Sequence, residues 1–115
     1  MKYQGGCHCG HIQFEVEGEI AQVLDCNCSF CQKRGGLLWF VPRAQLKLAT
    51  PEADVATYRF NTGKLAHHFC GACGIAPFSE GADPAGRAMA AVNVRCLEGV
   101  EPSQLAIVPF DGRSK

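Results

Sequence analysis

The eight cysteines of this 115-residue chain fall into an ordered pattern. Cys7 and Cys9 form C-x-C. Cys26, Cys28 and Cys31 form C-x-C-x-x-C, Cys70 and Cys73 form C-x-x-C, and Cys96 stands alone. Soft thiolates suit zinc, iron or Cu(I), with zinc the first choice on ligand type and geometry. Zinc–sulfur bonds of about 2.3 Å in a tetrahedron put neighbouring sulfurs roughly 3.8 Å apart. Residues i and i+2 of a strand share a face, so Cys7 and Cys9 reach one ion while His8 points away. A C-x-x-C knuckle does the same, and the glycines after Cys9 and Cys73 ease the turns. Pairing the two doublets gives a closed site of Cys7, Cys9, Cys70 and Cys73, whose metal-binding energy adds to folding energy. The competing reading is a redox C-x-x-C, which belongs beside a βαβ pattern that this sequence lacks.

Cys26, Cys28 and Cys31 offer three thiolates from one short segment. Three protein ligands with an open fourth position are the signature of a catalytic zinc. The open corner takes water or a substrate thiol, which a metal ion deprotonates at neutral pH, or the ion polarises a carbonyl. The alternative is a second structural site closed by Cys96, His67 or His68, with Cys96 otherwise a small core residue. Two zinc ions and seven thiolates would add about three negative charges to a neutral chain. Lys33 and Arg34 follow the trio and offset that charge, greet an anionic substrate, or form a solvated turn.

The elements that must hold these residues are short strands. "HIQFEVEG" alternates apolar Ile12, Phe14 and Val16 with polar residues up to Gly18, a half-buried strand. Further strands are expected at 21–24, 37–41, 46–48, 55–60, 65–69, 75–79, 88–94 and 107–110. The "NTG" at 61–63 reads as a hairpin turn. "SFCQKR" and "PSQL" each make at most a helical turn, and no helical period is sustained. Trp39 and Phe40 read as core. The expectation is one all-β domain over residues 1–115, of small zinc-stapled antiparallel sheets with short helical turns at most. Eleven basic residues balance eleven acidic ones, which argues against a nucleic-acid backbone as partner. No apolar run would span a bilayer, and the first residues lack the apolar stretch of a signal peptide. A reducing, cytoplasmic location is expected, where cysteines serve as ligands before disulfides.

The segments "GGCHCGHIQFEVEG", "CNCSFCQKRGG", "YRFNTGKLAHHFCGACGIAPF" and "VNVRCLEGV…FDGR" resemble the glutathione-dependent formaldehyde-activating enzymes, a family that includes centromere-protein-V-like proteins. The resemblance runs from Gly5 to Arg113, and the chain is similar to a minimal version of the domain. It implies a β-tent fold. It also implies structural zinc on Cys7, Cys9, Cys70 and Cys73, and catalytic zinc on Cys26, Cys28 and Cys31. The implied activity is that of a carbon–sulfur lyase acting as an S-(hydroxymethyl)glutathione synthase, adding a small thiol to an aldehyde reversibly. Asn93, Arg95 and Asp111 lie in the matching C-terminal segments as candidate cleft residues. The other reading is a non-catalytic zinc module with both sites structural.

Overall fold

A computed structural model of the chain describes residues 1–51, 54–59 and 65–111. The turn expected at 61–63 lies outside them. Strands β1 (Lys2–Gly6), β2 (Gln13–Glu17) and β5 (Leu46–Leu48) form an antiparallel sheet in the order β1-β2-β5. A second sheet carries β10 (Ile107–Phe110), β3 (Val23–Cys26), β4 (Leu38–Pro42), β9 (Ala88–Asn93), β8 (Phe78–Ala82), β7 (Ala66–Phe69) and β6 (Ala56–Tyr58), in that order. All its pairs are antiparallel except β10, which runs parallel to β3. The all-β expectation therefore holds, with one parallel pair that no local pattern announces. The helix α1 (Ser29–Arg34) is six residues long, and 102–104 makes a 3-10 turn. Among the described residues no helix is long and apolar enough to cross a membrane.

The core lies between the two sheets. Phe14, Val16 and Leu46 of the small sheet meet Val23, Trp39, Val41, Phe78, Ala90 and Val92 of the large one. Trp39 is core, as expected, but Phe40 is not, being 48% exposed. Successive strand residues point to opposite faces, so β4 sends Trp39 and Val41 inward and Leu38 and Phe40 to the other side. That outer face of the large sheet carries the cysteine trio.

Strand β1 escapes sequence reading because "KYQGG" has one apolar residue and two glycines. Its pairing with β2 explains the glycines. A Cβ on Gly5 would stand 2.8 Å from side-chain atoms of Leu97 and Phe14, and one on Gly6 would stand 2.2 Å from the carbonyl oxygen of Ile12. The Gly6 clash is with backbone, so it forces a main-chain shift one residue before Cys7. Gly6→Ala is expected to cost roughly 1–3 kcal/mol and to weaken metal retention at the Cys7 cluster. Thermal melts with a zinc count check both; an unchanged Tm would refute it.

Candidate metal centres and the adjoining cavity

Cys7 and Cys9 lie in the tight turn between β1 and β2, not on a strand as the i, i+2 argument expected. The main chain turns back at once, and the amide of Cys7 donates to the carbonyl of Ile12 at 3.1 Å. Gly10 takes the left-handed conformation, φ 84°, that favours glycine. Cys70 follows β7 and opens a second turn through Cys73, closed by Gly74 at φ 82°. The Gly74 amide donates to the Cys70 carbonyl at 2.8 Å.

These two turns bring four sulfurs within 4.8 Å of one another. Cys7 Sγ is 3.6 Å from Cys9 Sγ, and Cys9 Sγ is 3.6 Å from Cys70 Sγ. Both separations are close to the roughly 3.8 Å of a tetrahedral zinc–thiolate site. Backbone amides also aim at the sulfurs, from Ile12 to Cys7 at 3.2 Å and from Ala72 and Cys73 to Cys70 at 3.4 Å. Such donors stabilise thiolate over thiol. Amide bonds, that of Ile75 foremost, pull the Cys73 thiol down to about 6.

The trio is built by the end of β3 and the start of α1. Cys26 ends the strand, Cys28 caps the helix and Cys31 lies in its first turn. The amide of Cys31 donates to Cys28 Sγ at 3.3 Å and that of Cys28 to Cys26 Sγ at 3.5 Å. The three sulfurs fall within 4.8 Å of one another. Among the described residues no fourth His, Cys, Asp or Glu joins them. Burial, then the Cys28 side chain, pushes the Cys31 thiol up to about 12. Against a burial penalty, the amide and then the thiol of Cys31 hold Cys28 below the usual thiol range. Like charges this close repel, so a cation among the three sulfurs favours their thiolate form. Both donor sets therefore fit a soft divalent ion such as zinc.

The residues considered as a fourth ligand lie elsewhere. Cys96 sits in a 3-10 turn after β9, in neither cluster. Burial, then the nearby Cys7, pushes its thiol up to about 11. His68 faces the inner side, its Nε2 2.6 Å from Glu80, which also pairs with Arg43. His67 faces the outer side, its Nδ1 2.9 Å from Ser79 Oγ. Register explains this contact, since His67 stands directly opposite Ser79 across β7 and β8. Arg34 Nη1 donates to the same Ser79 oxygen at 3.2 Å, and its Nη2 donates to Cys31 Sγ at 3.6 Å. The guanidinium lies over the Phe30 ring, 5.0 Å from its centroid. A chain of contacts thus leads from His67 through Ser79 and Arg34 to the trio.

Arg34 is half-buried rather than part of a solvated turn, while Lys33 is exposed. The i, i+3 spacing of Cys31 and Arg34 on α1 is the signal that places both on one helix face. Ser79 has no such signal, because only sheet register brings it here. Of the C-terminal candidates, Asn93 is structural, its Oδ1 accepting from the amides of Leu37 at 3.3 Å and Arg95 at 3.2 Å. Arg95 is exposed. Asp111 lines a cavity of about 460 Å³ that also touches Cys26 and Cys31.

Burial, then the charges of Arg34 and His68, push His67 down to about 4. The folded state therefore resists protonating His67 across the window from about 6.5 to 4. Its stabilising effect is whole above pH 6.5 and is lost as pH falls towards 4, to a limit of roughly 3 kcal/mol. His67→Gln is expected to flatten the acid limb of stability against pH in zinc-loaded protein. Urea titrations from pH 7 to 4 test it, and parallel limbs for the two proteins would refute it.

The trio stands on the wall of a cavity of about 570 Å³ over the outer face of the large sheet. Arg34, His67 and Ser79 share that wall with Leu38, Phe40 and Met89. The chain as a whole is similar to known proteins. Residues 2–107 match the model of the family described as glutathione-dependent formaldehyde-activating enzyme. A solved structure of a Rhodobacter sphaeroides protein is 35% identical, with a TM-score of 0.80, covering 95% of this chain and 98% of that one. The sequence resemblance, the cysteine clusters and the fold agree, and the chain belongs to the glutathione-dependent formaldehyde-activating enzyme family.

Proposed function

We propose that the protein is a zinc-dependent carbon–sulfur lyase that promotes reversible addition of a small thiol to an aldehyde. The observation that carries this reading is the trio. Three convergent thiols lack a fourth partner among the described residues and open onto a cavity. Membership of the family supports a glutathione-like thiol and a formaldehyde-like aldehyde as the reaction class. Cys7, Cys9, Cys70 and Cys73 would hold a structural zinc, and Cys26, Cys28 and Cys31 a catalytic one. Zinc at the trio would supply a Lewis-acid position that favours the thiolate form of a bound thiol.

The balance of the reaction is simple. The sulfur lone pair forms the new C–S bond, the carbonyl π pair moves to oxygen, and the proton leaves sulfur for that oxygen. The reverse direction breaks the C–S bond. Arg34 offsets the negative charge that three thiolates and one divalent ion leave behind. With His67 in the tautomer that donates from Nδ1, Ser79 Oγ accepts from His67 and Arg34 and its own proton would serve the aldehyde oxygen. The apolar walls exclude water, which would otherwise hydrate the aldehyde. Such thiol chemistry suits a reducing compartment such as the cytoplasm.

The test is exchange spectroscopy by NMR on free and adduct thiol with formaldehyde, since uncatalysed addition is already fast. Zinc-loaded protein is expected to raise the exchange rate. Arg34→Gln is expected to lower that increment by on the order of 10-fold or more while keeping the zinc count. Exchange no faster than in buffer would refute the enzymatic reading.

A further inference from the structure

We infer that Arg34 is the residue by which the site selects its thiol: the guanidinium receives a carboxylate of the substrate, and the ligand class is the mercaptocarboxylates, glutathione among them. The inference rests on the reading of the trio as a thiol-accepting site and names what holds the other end of the thiol. Arg34 reaches the trio from α1, its Nη2 3.6 Å from Cys31 Sγ. The three-residue spacing sets both side chains on one helix face. The guanidinium lies over the Phe30 ring, 5.0 Å from its centroid, and its Nη1 donates to Ser79 Oγ at 3.2 Å. These contacts fix the group in place before a ligand arrives.

The groups that hold the guanidinium leave donors over. Of its five N–H bonds, one goes to a hydroxyl and one to a thiol, and Nε is buried with no hydrogen-bond partner. Among the described residues no carboxylate pairs with Arg34. Glu80 is taken by Arg43 and His68, and Asp83 by Arg87. A half-buried arginine without an acid has unmet hydrogen-bonding capacity, and a carboxylate matches its planar fork. Among the described residues lining the trio cavity Arg34 is the one cation, since His67 is held neutral. Much of the remaining wall is apolar, with Leu24, Leu38, Phe40 and Met89, and there a charge pair is screened less than in water. The second cavity touching Cys26 and Cys31 is lined by Asp25 and Asp111, which repel a carboxylate. Charge therefore directs the anionic end of a thiol to Arg34, beside the sulfurs that gather its other end. A carboxylate a few bonds from sulfur meets both requirements, with or without the tripeptide frame.

The test uses protein loaded with cobalt(II), whose visible bands change when a thiol joins the metal. 3-Mercaptopropanoate, its neutral amide and glutathione are titrated under argon. The acid is expected to bind on the order of 10-fold or more tightly than the amide, the scale of hydrogen bonds to a charged group. Arg34→Gln should bring the acid down to the amide, weaken glutathione by a like factor, and move the amide by less than about threefold. Arg34→Lys, which keeps the charge and loses the fork, should restore part of the difference. In the zinc-loaded parent the Arg34 Nε–H resonance should shift further with the acid than with the amide, a readout that needs no variant. Acid and amide binding alike to the parent overturn Arg34 as the receptor and leave the thiol-accepting site standing. So does an acid advantage that survives Arg34→Gln, or glutathione affinity indifferent to it. Bands that no thiol perturbs overturn the site reading itself.

Discussion

Cys28→Ser is expected to lower bound zinc from two ions per chain to one and to leave a folded, inactive protein. The separation of effects follows from what this residue does locally. Cys28 is the N-cap of α1, and its sulfur accepts the amide of Cys31 at 3.3 Å. Serine is among the best N-cap residues, so its hydroxyl can take over that bond. Its oxygen is a poor replacement for a thiolate on a soft ion. The helix therefore keeps its start while the metal loses a ligand. The exchange-rate increment is expected to fall by on the order of 100-fold or more, the scale of charge stabilisation that a bound metal supplies. Zinc by mass spectrometry, a thermal melt and the NMR exchange assay check the three parts. Two zinc ions with full activity would refute the role of the trio, and so would a protein that no longer folds.

Cys70→Ser is expected to give the opposite result, a chain that does not reach a stable fold. Cys70 is fully buried, receives two amide bonds at its sulfur, and contacts Cys9 from 61 positions away in the chain. Its cluster ties the β1–β2 turn to the turn after β7. Structural zinc in small domains contributes roughly 10–16 kcal/mol in peptide systems, against about 5–15 kcal/mol of total stability for a domain. Losing most of that term is enough to unfold a chain of this size. The variant should show no cooperative thermal transition, or a Tm more than about 20 °C below the parent. A tight chelator added to the parent should reproduce it. A cooperative melt within a few degrees of the parent would show that the quartet is not a structural staple.

The two substitutions separate because the clusters are built differently. The trio comes from one strand end and one helical turn, so its geometry exists wherever that segment folds. The quartet exists only when two distant turns meet. On the proposed reading, one cluster can be emptied without moving the sheets, whereas the other would hold them.

The sequence by itself determined what depends on near neighbours. Spacings of two and three residues fix which sulfurs can share an ion, so the quartet and the trio were both legible in it. So were most strands, from alternation and turn residues, and the short helix at "SFCQKR". Even the error at Cys7 and Cys9 was local, because a tight turn brings i and i+2 sulfurs together as well as a strand does. Tertiary structure decided what depends on sheet order and facing. Phe40 left the core because Trp39 had claimed it, and β10 joined β3 in parallel across more than eighty residues. Ser79 and His67 met Arg34 because register across β7 and β8 set them opposite each other, 45 positions separating Ser79 from Arg34. The side chains of a strand alternate by a rule written in the sequence. Which face meets the core, and which strand lies alongside, is fixed only when distant apolar surfaces bury each other.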